Sequence, residues 1–196
     1  PQLQMQVAEG LPLVRIATLV NSPLNSLVVL QNSGINKIEE LKGKKVGYSV
    51  SGFETALLDS MLKSVNLSAK DVELINVNSS LSASLMSKQV DAVIGAFRNF
   101  ELNQLKLEKA EGIAFFPEEY GVPKYDELIV VANKESISAE KYKNFVKSLQ
   151  EATIYLKENP EESWKAFVSY KPKELDNELN RLAWKDTLPY LAPNPA

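Results

Sequence analysis

The residues best equipped for chemistry fall in three short clusters, each at the end of an apolar run with strand character. The first, closing the run 45–50, is Ser49, Ser51, Gly52 and Phe53. The second, closing 72–77, is Asn76, Asn78, Ser79 and Ser80. The third, closing 90–97, is Phe97, Arg98, Asn99 and Glu101. Hydroxyls, amides, one carboxylate and aromatic faces suit a flat, polar, hydrogen-bonding heterocycle better than a lipid or a polymer. Backbone N–H groups at a helix start on Ser51-Gly52 could also take a carboxylate, a formyl oxygen or a phosphate. Glu101, just past a buried strand, could accept charge-assisted hydrogen bonds from an aminopyrimidine or a cationic amine.

Each of these residues also has a plainer structural use. Ser51 and Glu54 form a capping box at a helix start. Asn76, Asn78 and Ser79 are turn and capping types, Arg98 could pair with a carboxylate, and Phe97 could be core. Asn25, in the turn 21–25, and Tyr125, in the loop 118–125, complete the candidate ligand contacts. Asp126 and Glu127 look like a paired acid and base. Neighbours in a strand point to opposite faces, so those two cannot share a substrate.

The elements that must position these clusters follow from periodicity. Strands are expected at 13–20, 26–31, 45–50, 72–77, 90–97, 113–116 and 128–132. Helices are expected at 2–9, 38–41, 51–65, 81–88, 99–107, 139–157, 160–170 and 174–188, with Ser138 and Asn159 as caps. Phe53, Leu57, Leu58, Met61, Leu62 and Val65 make one apolar stripe at helical spacing. The β-α-β-α-β order from 45 to 97 implies parallel strands and right-handed crossovers. In such sheets ligands bind beyond the carboxyl ends of the strands, which is where all three clusters lie. The apolar strands near 27–31 and 128–132 bracket this unit. That suggests a middle lobe inserted into a second one, with boundaries at 1–30, 31–128 and 129–196 and a ligand cleft between lobes.

Composition narrows the functions. The 196 residues contain no Cys and no His. Disulfides, thiol nucleophiles, cysteine-ligated metals and a histidine general base are therefore excluded within this sequence. A net charge of −3 gives no pull toward nucleic acid or anionic lipid. No apolar run approaches the roughly 18 residues of a membrane-spanning helix. The expectation is a non-enzymatic binding protein with no cofactor and no metal.

The stretch Leu41-Lys-Gly-Lys-Lys-Val-Gly-Tyr-Ser49, followed by Ser51-Gly52-Phe53-Glu54, resembles the substrate-binding proteins of ABC importers. With Val90-Asp-Ala-Val-Ile-Gly-Ala-Phe-Arg-Asn-Phe-Glu-Leu-Asn-Gln104 and Gly121-Val-Pro-Lys-Tyr-Asp-Glu-Leu128, the likeness is to those that bind thiamine pyrimidine precursors. It extends to Asn159-Pro-Glu-Glu-Ser-Trp164 and Trp184-Lys-Asp-Thr-Leu188. The resemblance implies an α/β, type II periplasmic-binding-protein fold with two lobes and a mostly parallel sheet in the middle lobe. The N-terminal part of lobe 1 would be missing. It implies capture of hydroxymethylpyrimidine or its formylamino relative by a monomer, and delivery to an ABC permease outside the cytoplasm. A signal or lipid anchor would belong to a preceding segment. Glu101 and Asn99 would meet the pyrimidine edge, and residues 49–53 its substituent.

Two rivals share the superfamily. One is a fungal enzyme that makes the pyrimidine from its own histidine, which this chain lacks. The other is the effector-sensing domain of a LysR-type regulator, which would follow a DNA-binding segment.

Overall fold

The computed structural model describes residues 2–135 and 138–194, and the chain divides into two compact units. One is residues 23–124; the other joins residues 1–22 to 125–196. In chain order the elements are α1 (Gln2–Ala8), β1 (Leu13–Val20), β2 (Asn25–Leu30), β3 (Lys45–Tyr48), α2 (Phe53–Lys63), β4 (Glu73–Asn76), α3 (Leu81–Met86) and β5 (Ala92–Phe97). There follow α4 (Glu101–Leu107), β6 (Gly112–Phe115), β7 (Leu128–Asn133), α5 (Ala139–Glu158), α6 (Pro160–Tyr170), α7 (Pro172–Leu175) and α8 (Glu178–Thr187).

The middle unit is a five-stranded sheet in the order β4-β3-β5-β2-β6. Strand β3 pairs in parallel with β4 and β5, whereas β2 runs antiparallel to β5 and β6. The expected β-α-β-α-β unit is present, but the sheet as a whole is mixed rather than mostly parallel. Strand β2, read from the sequence as outer-lobe chain, is the cause. All six of its residues are buried, so its backbone groups need a partner strand on each side. β5 and β6 supply them.

The step from β3 to β4 and the step from β4 back past β3 to β5 run in opposite directions across the sheet. Right-handed crossovers therefore put α2 and α3 on opposite faces. On the α3 face, Leu81 and Leu85 pack with Leu105 of α4 and with Val28 and Val93 of the sheet. Helix α2 packs on β5 and buries Leu57, Leu58, Met61 and Leu62, the stripe its spacing predicts.

Strand β5 carries one irregularity. Ser26 faces Ala96 and Leu27 faces Ile94, leaving Gly95 as an extra residue in a β-bulge. Its φ of +101° is a backbone conformation that side chains strongly disfavour.

In the other unit β1 and β7 form an antiparallel pair from Leu13–Asn133 to Val20–Leu128. Both α1 and α5 pack on β1. Trp164 and Phe167 of α6 meet Trp184 of α8, with ring centroids 5.4–5.8 Å apart. The helix expected over 174–188 is interrupted, because Asn177 Oδ1 accepts from the Asn180 N–H at 2.9 Å and starts α8 afresh. Ser138 makes no side-chain cap. Asn159 closes α5 and opens α6 as expected, but its side chain caps no N–H of α6; its Nδ2 donates to the Tyr155 carbonyl at 3.1 Å. Among the described residues no helix is long and apolar enough to cross a membrane.

Leu58 is fully buried at the centre of the α2 stripe. Leu58→Ala is expected to destabilise the protein by about 3 kcal/mol through lost burial and a residual cavity. A lower denaturant midpoint with unchanged slope would show it; an unchanged midpoint would mean that α2 does not hold the sheet.

Candidate functional site

Strands β3 and β5 are neighbours, yet the chain leaves them toward opposite faces: β3 into α2, β5 into α4. That makes a topological switch point, and the crevice beyond such strand ends is where open α/β sheets hold ligands. The first and third sequence clusters meet there. After β3 come Ser49, Ser51, Gly52 and Phe53; after β5 come Phe97, Arg98, Asn99 and Glu101.

The turn after β3 is not built as a capping box. Gly52, at φ +85°, is the residue before helix α2, and no side chain caps the helix. Glu54 reaches further back instead. Its Oε2 accepts from the N–H of Ser49 at 2.7 Å and of Val50 at 2.9 Å. The helix opens only at Phe53, so Glu54 lies in its first turn and faces the preceding loop. Ser51 and Gly52 are exposed, Ser49 and Phe53 half-buried, and Val50 is 42% exposed. Together they present hydroxyls and an apolar rim.

At the end of β5, Glu101 is half-buried and its Oε2 accepts from the Phe97 N–H at 2.6 Å. Burial pushes its carboxyl above the usual carboxylate range. Two backbone N–H groups, first that of Phe97, pull it down, and the charge of Glu54 pushes it up again. An ionised Glu101 therefore costs stability, and the cost is relieved as pH falls through the raised value. Such a group gains from a ligand that brings a proton donor or positive charge. Asn99 beside it is buried, and its carbonyl accepts from Asn103 Nδ2 at 3.1 Å.

Arg98 is committed elsewhere. Its guanidinium makes a two-pronged contact with Glu118, Nη1 to Oε1 at 2.7 Å and Nη2 to Oε2 at 3.0 Å. Nη2 also donates to the Asn25 carbonyl at 3.3 Å, and the guanidinium carbon lies 4.0 Å from the Phe116 ring centre. The Arg98 side chain is only 9% exposed. It is a strut joining the β5 end to the segment after β6. Burial pushes the Glu118 carboxyl up, but the Arg98 hydrogen bond, the backbone hydrogen bond at Glu118 and the charges of Arg98 and Lys124 together outweigh this and leave it lowered. Asn25, buried beside Phe97 in the sheet register, belongs to the same support.

The second cluster is a turn. Asn76 Oδ1 accepts from the Asn78 N–H at 2.9 Å, and Asn78 takes φ +50°. Both are exposed at the end of β4, the strand at the sheet edge. Tyr125 belongs to the other unit. Asp126 accepts from Arg15 and from Thr18 Oγ1, a structural use rather than a paired acid. Sequence reading took Glu54 as a cap and did not single out Glu118. No local signal joins Glu118 to Arg98, twenty residues earlier.

The sheet order and strand-end site define a type II periplasmic-binding-protein fold. The Escherichia coli periplasmic aliphatic sulphonate-binding protein shares it, with a TM-score of 0.71 at 18% identity over 95% of this chain and 62% of that one. Within that class the chain belongs to the NMT1/THI5-like family, which matches residues 1–163. A Haemophilus influenzae protein named for thiamine biosynthesis is 67% identical over the whole chain and 62% of its own length. The formylaminopyrimidine-binding protein of Halalkalibacterium halodurans is 32% identical over 83% of the chain and 50% of its own. The 4-amino-5-hydroxymethyl-2-methylpyrimidine phosphate synthase of Saccharomyces cerevisiae is 25% identical over 88% and 54%. The chain thus spans 50–62% of the length of these relatives.

Arg98→Met strands Glu118 half-buried and is expected to destabilise by about 3 kcal/mol. Because the Glu118 carboxyl is lowered, the stability it contributes is complete above its ordinary value of 4.5 and is lost as pH falls through the lowered one. Denaturant midpoints across that acid range should flatten in Arg98→Met; an identical acid limb in both proteins would refute the assignment.

Proposed function

We propose that this chain captures a thiamine pyrimidine precursor, an aminopyrimidine of the hydroxymethyl or formylamino type, at the ends of β3 and β5. It serves as the solute-binding component of an ABC importer, working outside the cytoplasm and handing its ligand to a permease. The observation that carries this reading is Glu101, a half-buried carboxylate anchored on the Phe97 N–H beside a second carboxylate. An amino group and a protonated ring nitrogen offer it two charge-assisted hydrogen bonds. Asn99 adds an amide at the same edge, Phe97 and Phe53 offer ring faces, and residues 49–52 meet the ring substituent. Asn76 and Asn78 would form the outer wall. Tyr125 stays a candidate ligand contact, while Arg98 and Asn25 act as support.

The relative named as a formylaminopyrimidine-binding protein supports the ligand class. A pair of carboxylates suits a cationic edge better than a sulfonate. The synthase relatives favour a second reading, pyrimidine production. The resemblance ties that reaction to a histidine the protein itself provides, and these 196 residues contain none.

A ligand of about ten non-hydrogen atoms at roughly −0.8 to −1 kcal/mol each reaches micromolar to sub-micromolar affinity. Calorimetric titration with hydroxymethylpyrimidine, its formylamino relative, thiamine and taurine checks the class. One pyrimidine should bind in that range, and Glu101→Gln should weaken it at least tenfold, about 1.4 kcal/mol or more. Heat from taurine alone, or from no pyrimidine, would sink the reading. Without ligand, Glu101→Gln should melt higher than the parent at neutral pH, since it removes an ionised group that burial penalises and keeps an acceptor for Phe97.

A further inference from the structure

Glu54 is the most buried acidic side chain among the described residues, 5% exposed on the first turn of α2. A charge is placed there only if its surroundings repay the loss of water. Two observations say what those surroundings are. The first is the pair of N–H groups from Ser49 and Val50, at 2.7 and 2.9 Å on one oxygen. They are successive amides of the turn that carries the β3 half of the site. The second is Gly95. A Cβ built on that residue would lie 2.4 Å from the Glu54 carboxyl carbon and 2.4 and 2.6 Å from its oxygens. The carboxylate therefore occupies the space where any other residue of β5 would carry its side chain.

The bulge makes this possible. Gly95 is the extra residue in the β5–β2 register, and its φ of +101° turns its open side onto Glu54. Two residues further along β5, Phe97 holds Glu101. One side chain thus touches the turn after β3 and the last residues of β5 at once.

We propose that Glu54 is the positioning residue of this site: its carboxylate ties the 49–50 turn to the Gly95 bulge and so fixes the spacing of the two strand ends that hold the ligand. The proposal rests on reading those strand ends as the ligand site. Glu54 does not contact the ligand. It acts through the Ser49 and Val50 amides and through its charge, which also bears on Glu101. Bulges next to binding sites commonly re-aim one group in this way.

Two variants of the whole chain separate the tie from the charge. Gly95→Ala leaves every charge in place but drives the carboxylate out. Glu54→Gln keeps an oxygen for both amides and removes the charge. In ligand-free protein, the Ser49 and Val50 amides should exchange with deuterium at least tenfold faster in Gly95→Ala, while the Leu58 and Leu62 amides stay within twofold. In Glu54→Gln the Ser49 and Val50 amides should stay within threefold of the parent, and the Glu101 carboxyl, followed by carbon NMR, should titrate at lower pH. With hydroxymethylpyrimidine as probe, Gly95→Ala should bind at least tenfold more weakly. Unchanged exchange at Ser49 and Val50 in a folded Gly95→Ala overturns the proposal. So does a Glu101 titration unmoved by Glu54→Gln, which decides the matter if Gly95→Ala does not fold. Exchange and titration need no ligand, so failure of the pyrimidine to bind the parent refutes the functional reading and leaves this one standing.

Discussion

Strand β5 has to satisfy opposite demands along its length, and the middle unit is arranged around how it does so. It is hydrogen-bonded on both edges, parallel to β3 and antiparallel to β2. Its first five residues are buried. Such a strand has no freedom to bend unless a residue is taken out of the ladder. Gly95 is that residue. With no Cβ it tolerates a positive φ, and the space it leaves is filled by the Glu54 carboxylate. The apolar strand thus ends among polar groups without exposing its core.

Three carboxylates at this end of the sheet illustrate how surroundings assign roles. Glu118 faces a guanidinium and is held ionised as part of a strut. Glu54 is buried on two backbone N–H groups and ties a turn. Glu101 has burial and a like charge set against two backbone amides, and burial prevails, so its ionised form is disfavoured. In the proposed reading the strained group is the one that meets the ligand, because a ligand can supply what the protein withholds. The strut and the tie hold it in place.

The fold alone does not choose among ligands. A sulphonate-binding protein shares it at 18% identity, and the NMT1/THI5-like family includes both a named pyrimidine-binding protein and named pyrimidine phosphate synthases. What separates these possibilities is the chemistry of a few strand-end side chains. In the reading proposed above, two carboxylates near these strand ends disfavour an anionic head group.

The sequence by itself determined the local order. The strands 45–48, 73–76 and 92–97 and the helices between them lie where apolar periodicity and turn residues put them, within a few residues. The 3.6- and 2-residue periods are properties of neighbouring residues, so a single chain displays them. The strand-end clusters after β3 and β5 were legible for the same reason. Three things were decided only by tertiary structure. Strand β2 entered the middle sheet because a fully buried strand must find partners on both edges, and no local pattern says which strands those are. Arg98 found its partner in Glu118, distant in sequence and brought within 2.7 Å. Glu54 turned from helix cap to tie because a bulge in β5 cleared a space for its carboxylate. Each depends on which residues the sheet order sets side by side, and pairing between distant segments leaves no periodic mark on a single sequence.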